Sequence, residues 1–152
     1  MEVFRLSRTK YADQLSGIGA SLKGGRWNSK GTAIIYTAFN RSLAMAEVAV
    51  HFSLSMLPQD YKMLTIYVPD DLAILHLPGS DLPENWNSFP YHSRSQHFGD
   101  DFIRQNKFAL LKVPSAVTKG DFNLLINPFH PDFDRIFIIE NEAFPFDNRI
   151  FS

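Results

Sequence analysis

One carboxylate, Glu47, stands inside the run LAMAEVAVHF with apolar neighbours on every side. An ionised carboxylate taken out of water is costly unless it is paired. It therefore belongs to a structural ion pair, to a helix edge at the surface, or to the wall of a cleft, where perturbed groups gather. Arg26 is equally out of place, directly after the only Gly-Gly pair of the chain in SLKGGRWNSKGTAIIY. A planar guanidinium beside a glycine turn suits a diphosphate, because it donates in a bidentate fork while neighbouring backbone N–H groups add to the grip. The same residues also fit a surface turn with Arg26 stacked on Trp27 as a cation–π pair. The glycines match neither the phosphate-loop pattern nor the dinucleotide fingerprint.

Other residues offer weaker chemistry. Tyr36 closes a predicted strand, so its phenol either reaches a cleft mouth or packs in the core. Ser115, in VPSAV, follows a proline at a strand end; with no G-x-S-x-G elbow and no paired His and Asp, it reads as a hydrogen-bonding hydroxyl rather than a nucleophile. Asn123, Asn127 and His130 lie near a turn marked by Pro128 and Pro131 and read as turn formers. The five histidines show no H-E-x-x-H and no ligand spacing, so no metal site is expected. Asp70, Asp71, Asp100 and Asp101 read as turn or solvated-face residues.

The elements that must hold these groups follow from the pattern. Val3–Leu6 predicts a first strand, with a helical piece around Lys10–Leu15. Ala33–Thr37 reads as a buried strand. Arg41 to about Leu54 has helix formers and no Gly or Pro, with Asn40 or Ser42 as cap and Pro58 as stop. That nearly all-apolar helix fits either the core or a homo-oligomer interface. Strands are predicted at Lys62–Pro69, Ile74–Leu77, Ala109–Val113, Phe122–Ile126 and Arg135–Glu140. LPGSDLPENWNSFP is loop, and His92–Asn106 is a second helix, interrupted or started near Gly99. Strands outnumber helices without alternating with them, so an α+β fold is expected.

With 152 residues, 45% hydrophobic and 20% charged, the chain fits one globular domain with a real core. A net charge of −1 and no Lys/Arg-rich block argue against a nucleic-acid partner. The lack of cysteine excludes disulfides and thiolate catalysis, and fits a reducing compartment. No run approaches the roughly 20 apolar residues of a membrane span, and MEVFRLSRTKYADQL lacks the apolar stretch of a signal peptide. A cytoplasmic domain without membrane contact is expected.

Taken together, GGRWNSKGTAIIYTA, SLAMAEVAVH, LLKVPSAV and LLINPFHP, in this order, closely resemble the RES-domain family. The resemblance runs from FRLSR to FPFDNRIFS, so residues 1–152 are expected to form one RES domain. The arginine, glutamate and serine that name the family match Arg26, Glu47 and Ser115. The resemblance implies a single compact domain with an ADP-ribosyltransferase-like mixed β core and flanking helices. It implies a bacterial toxin that depletes NAD⁺, opposed by an antitoxin similar to Xre-type helix-turn-helix proteins that occlude the site. NAD⁺ would be substrate and no cofactor is called for.

On that resemblance, the bond broken joins nicotinamide to C1′ of its ribose, through an oxocarbenium-like transition state. Glu47 would stabilise the sugar cation and hold ribose hydroxyls, Arg26 would anchor phosphate, and Ser115 would position the ribose. The segment Gly25, Arg26, Trp27 and Asn28 would hold the pyrophosphate, Tyr36 would frame the nicotinamide ring, and Asn127 would belong to the ribose wall. Water or inorganic phosphate would take the C1′ position. The alternative is an ADP-ribosyltransferase that passes the group to a protein or nucleic acid.

Overall fold

The computed structural model describes residues 1–52 and 59–151. Among them, β1 (Glu2–Arg8), β2 (Ile35–Ala38), β3 (Tyr61–Tyr67), β4 (Ile74–His76), β5 (Leu110–Pro114), β6 (Phe122–Ile126) and β7 (Phe137–Ala143) form one sheet in the order β4-β5-β6-β2-β1-β3-β7. All neighbours are antiparallel except β4 and β5. Three helices accompany it: α1 (Ile18–Lys23), α2 (Arg41–Ala49) and α3 (Ser93–Gln105). This is the expected α+β architecture.

The central strands are apolar on both sides because both faces are covered. On one face Val3, Ile35, Leu64, Leu110, Leu124 and Ile126 form a continuous cluster. The other face is divided. Leu111, Val113 and Leu125 pack with Trp27 and with Phe102 of α3, while Phe4, Leu6, Ala38 and Met63 pack under Leu43 and Ala44 of α2. The strip between these two clusters is where the polar residues of interest meet.

Register explains how. Asn123, near the start of β6, lies opposite Ala38 at the end of β2 and opposite Val113 near the end of β5. Ser115 follows β5 directly. Asn40 accepts a 2.8 Å bond from the Leu43 amide and so caps α2 two residues after β2 ends. The helix thus starts from the same end of the sheet at which Asn123 and Ser115 sit.

Three local expectations differ from the structure. The segment Lys10–Leu15 reaches the core with Ala12 and Leu15 without forming a helix; only a 3₁₀ turn forms, at Thr9–Tyr11. The unforeseen α1 spans six residues between Gly17 and Gly24, both with positive φ, in a stretch whose glycines hide any helical period. Within the described residues α2 ends at Ala49; the anticipated end at Leu54 and the stop at Pro58 lie outside them. α3 runs unbroken through Gly99, and no described helix is long and apolar enough to cross a membrane.

Candidate active site

Glu47 lies one turn beyond Leu43 and Ala44, the two residues that α2 buries. Spacings of three and four keep side chains on one helical face, so Glu47 is turned toward the sheet by the packing of its predecessors. It meets two partners there. The Ser115 hydroxyl donates to Oε1 at 2.8 Å, and Asn123, whose amide donates to the Thr37 carbonyl at 3.2 Å, lies close enough to favour the charged carboxylate. Burial raises the Glu47 pKa above the ordinary glutamate value; the Ser115 bond, the nearby Asn123, and the charges of Arg26 and His51 pull it back part of the way.

Ser115 has no freedom in how it uses its proton. Its Oγ accepts from the amides of Val117 at 3.1 Å and Thr118 at 3.0 Å. A hydroxyl has one proton and two lone pairs; with both lone pairs engaged, the proton goes to Glu47. The oxygen is therefore a fixed donor, held by two backbone amides and aimed at the carboxylate.

Arg26 reaches the site from a turn in which the Gly25 amide donates to the Asn28 carbonyl at 2.9 Å. The Gly-Gly pair serves this turn. Gly24 leaves α1 with φ 70°, a region that favours glycine. A side chain on Gly25 would sit 2.8 Å from the Tyr36 hydroxyl and 3.0 Å from Asn28 Oδ1. Nη1 of Arg26 donates to the carbonyls of Trp86 at 2.9 Å and Ser88 at 3.0 Å. Its guanidinium lies over the rings of Tyr91, 5.2 Å from the centroid, and Trp86, at 6.0 Å. The loop thus supplies the stacking partners that the sequence assigned to Trp27. Burial lowers the Arg26 pKa, while Tyr91, Glu47 and Tyr36 counter it. Arg26 and Glu47 therefore act on each other electrostatically, and among the described residues the Nε and Nη2 edge of the fork takes no hydrogen bond.

The remaining candidates fall into two groups. Trp27, Asn28 and Tyr36 adjoin Arg26 but face inward. Trp27 is buried, with its ring 5.7 Å from that of Trp86. Asn28 is fully buried and donates to the carbonyls of Ala20, Ser29 and Thr32. The Tyr36 hydroxyl donates to Asn28 Oδ1 at 2.6 Å and accepts from the Trp27 amide at 3.0 Å, and burial pushes its pKa up, so it stays protonated. These contacts make the trio the frame of the Arg26 turn. Asn127 lies apart, just past the end of β6 remote from Asn123. Its amide donates to Asn106 Oδ1 and its Oδ1 accepts from Phe129, so it ties α3 to the turn after β6.

Asn123, read from sequence as a turn former, sits inside β6 against Glu47. Its place in FNLLI, a polar residue at the edge of a strand otherwise buried on both faces, was the available signal. Trp86 and Tyr91 gave no signal, because their loop has no regular period.

The sequence model of the RES domain matches residues 2–147. The chain belongs to the RES-domain family. Toxin Res of Yersinia enterocolitica is 34% identical to this RES domain over 152 residues, covering 99% of each chain. Toxin Res of Pseudomonas putida is 35% identical over 155 residues, 99% of this chain and 100% of that one. A protein of Sphingobium sp. named Prs ADP-ribosylating toxin is 43% identical over 129 residues, 83% of this chain and 80% of that one. The fold is similar to one in the crystal structure of the M. tuberculosis MbcT–MbcA toxin–antitoxin complex, with a TM-score of 0.73 and 23% identity over 99% of this chain and 86% of the other.

Proposed function

We propose that this RES domain is the toxin of a toxin–antitoxin pair and cleaves the nicotinamide–ribose bond of NAD⁺, with water or inorganic phosphate as acceptor. The observation that supports the reading is the Ser115–Glu47 hydrogen bond at the strip between the two apolar clusters, with Arg26 near enough for its charge to act on the carboxylate. A carboxylate directed by a fixed hydroxyl suits a sugar that becomes positively charged as nicotinamide leaves. The open edge of the Arg26 guanidinium suits a pyrophosphate oxygen. Ser115, with its proton committed to Glu47, acts by orienting that carboxylate. A protein antitoxin, of the Xre-like class, would hold the enzyme silent in the cell; the relatives named toxins support the pairing.

The test is product identification by mass spectrometry after incubation with NAD⁺, with and without phosphate. ADP-ribose reports hydrolysis, and its 1″-phosphate reports phosphorolysis. Absence of nicotinamide release from folded protein overturns the reading. A second reading, transfer of ADP-ribose to a macromolecule, is favoured by the name of the Sphingobium relative. It requires that nicotinamide release appear only when a protein or nucleic-acid acceptor is added.

A further inference from the structure

One face of α3 converges on the turn that carries Arg26. Gln96 Nε2 donates to the carbonyl of Gly25 at 2.9 Å and to that of Asn28 at 3.2 Å. These are the two residues whose own backbone bond closes the turn. Asp100 accepts from both the amide and the hydroxyl of Ser29. Between them, Gly99 lies against the backbone of Trp27: a Cβ there would stand 1.6 Å from the Trp27 carbonyl oxygen. Spacings of three and four put Gln96, Gly99 and Asp100 on one side of the helix. Gln96 and Gly25 are 71 residues apart in sequence.

The contact is polar where helix packing is ordinarily apolar. α3 meets its apolar obligation with Phe102, which packs beside Trp27 in the core. Gln96 and Asp100 instead hold backbone and hydroxyl groups of the turn from both ends, and glycine lets the helix axis come close enough for them to reach. A turn secured at Gly25, Trp27, Asn28 and Ser29 keeps one orientation, and the residue within it that α3 does not hold is Arg26, whose guanidinium leaves the turn for Trp86, Ser88 and Tyr91.

We infer that Gln96, assisted by Asp100, is a positioning residue for Arg26, so that α3 sets the direction in which the guanidinium meets the anionic part of the dinucleotide. This rests on the NAD⁺ reading of the site. A brace that served stability alone would lower the unfolding temperature without altering how substrate is held, and its effect would be independent of Arg26.

The test is a double-substitution cycle on the full chain: wild type, Gln96→Ala, Arg26→Ala and the pair. Nicotinamide release gives KM and kcat, circular dichroism confirms the fold, and tryptophan emission reports, without substrate, on Trp27 in the turn and on Trp86 against it. Gln96→Ala is expected to raise KM for NAD⁺ about tenfold with kcat within about threefold, as for a ligand group displaced by a fraction of an ångström. The pair is expected to match Arg26→Ala alone in both KM and emission. A folded Gln96→Ala protein with unchanged KM overturns the inference, as does a KM in the pair equal to the product of the single effects. If Gln96→Ala does not fold, Asp100→Asn is carried through the same cycle with the same criteria. If wild type releases no nicotinamide, the NAD⁺ reading falls, and the emission cycle still decides the positioning: a Gln96→Ala spectrum identical to wild type overturns it.

Discussion

Ser115 donates its only proton to Glu47 across 2.8 Å and 68 residues of sequence, while two backbone amides hold its oxygen from behind. The carboxylate is aimed by a hydroxyl that the chain itself has aimed. Removing that hydroxyl by Ser115→Ala takes from Glu47 the 2.8 Å bond that aims it and leaves Asn123 as a polar neighbour. Steady-state nicotinamide release should show kcat reduced about 10–100-fold, the effect of misplacing a reacting group. Thermal stability should fall as well, because the Val117 and Thr118 amides lose their acceptor.

The same bond has a signature in pH. In the proposed reaction Glu47 acts ionised, so activity is expected to fall as pH drops through its pKa, which burial holds above the ordinary value. The acid limb of kcat/KM should therefore lie above the usual glutamate range. Because the Ser115 bond pulls that pKa down, Ser115→Ala should move the limb to still higher pH. An unmoved limb would dissociate Glu47 from the profile.

Stability should run the other way. A carboxyl whose folded pKa is raised favours folding while protonated, and this contribution disappears as pH rises through the folded pKa. Glu47→Gln removes the buried charge and keeps an acceptor for Ser115. Its melting temperature should exceed wild type at neutral pH, with the gap closing as pH falls below the model-peptide value of 4.5. Parallel melts at several pH values check the sign, and kcat in the same variant should fall about 10²–10³-fold, the loss seen on removing one preorganised charge-stabilising group.

Arg26→Lys preserves charge and removes the fork. An ammonium can still donate to the Trp86 and Ser88 carbonyls, which one nitrogen of Arg26 serves, but it has no plane to lay over Tyr91 and Trp86 and no second edge to offer an anion. KM for NAD⁺ should rise about tenfold, accompanied by altered tryptophan emission as Trp86 is released.

Asn127→Ala should separate frame from chemistry. It strips partners from Asn106 Oδ1 and the Phe129 amide, so chemical denaturation should show a loss of about 1–3 kcal/mol, as for polar groups left unsatisfied. Activity per folded molecule should stay within about twofold, far inside the range of a lost transition-state contact.

Every strand was legible in the sequence, because runs such as YKMLTIY and FNLLI announce burial on both faces. Glu47 and Arg26 were legible for the opposite reason, since each violates its surroundings. What the sequence hid is long-range. Asn123 looks like a turn residue until β6 is seen between β2 and β5. Gln96 and Asp100 look like a solvated helical face until a turn some 70 positions earlier is laid against them. Tyr36 has the composition of a cleft aromatic, yet its hydroxyl is spent on Asn28 and Trp27, a choice made by the glycine at 25 and by no property of the tyrosine.

The position of β6 in the sheet has a temporal meaning. β2, which leads directly into the helix bearing Glu47, lies in the folded sheet between β1 and a strand that the ribosome delivers much later. Until that strand is inserted, Glu47 has neither Ser115 nor Asn123 beside it. The pairing of the α2 carboxylate with its partners is consequently a late event in the life of a growing polypeptide, made only once the chain beyond β5 has emerged.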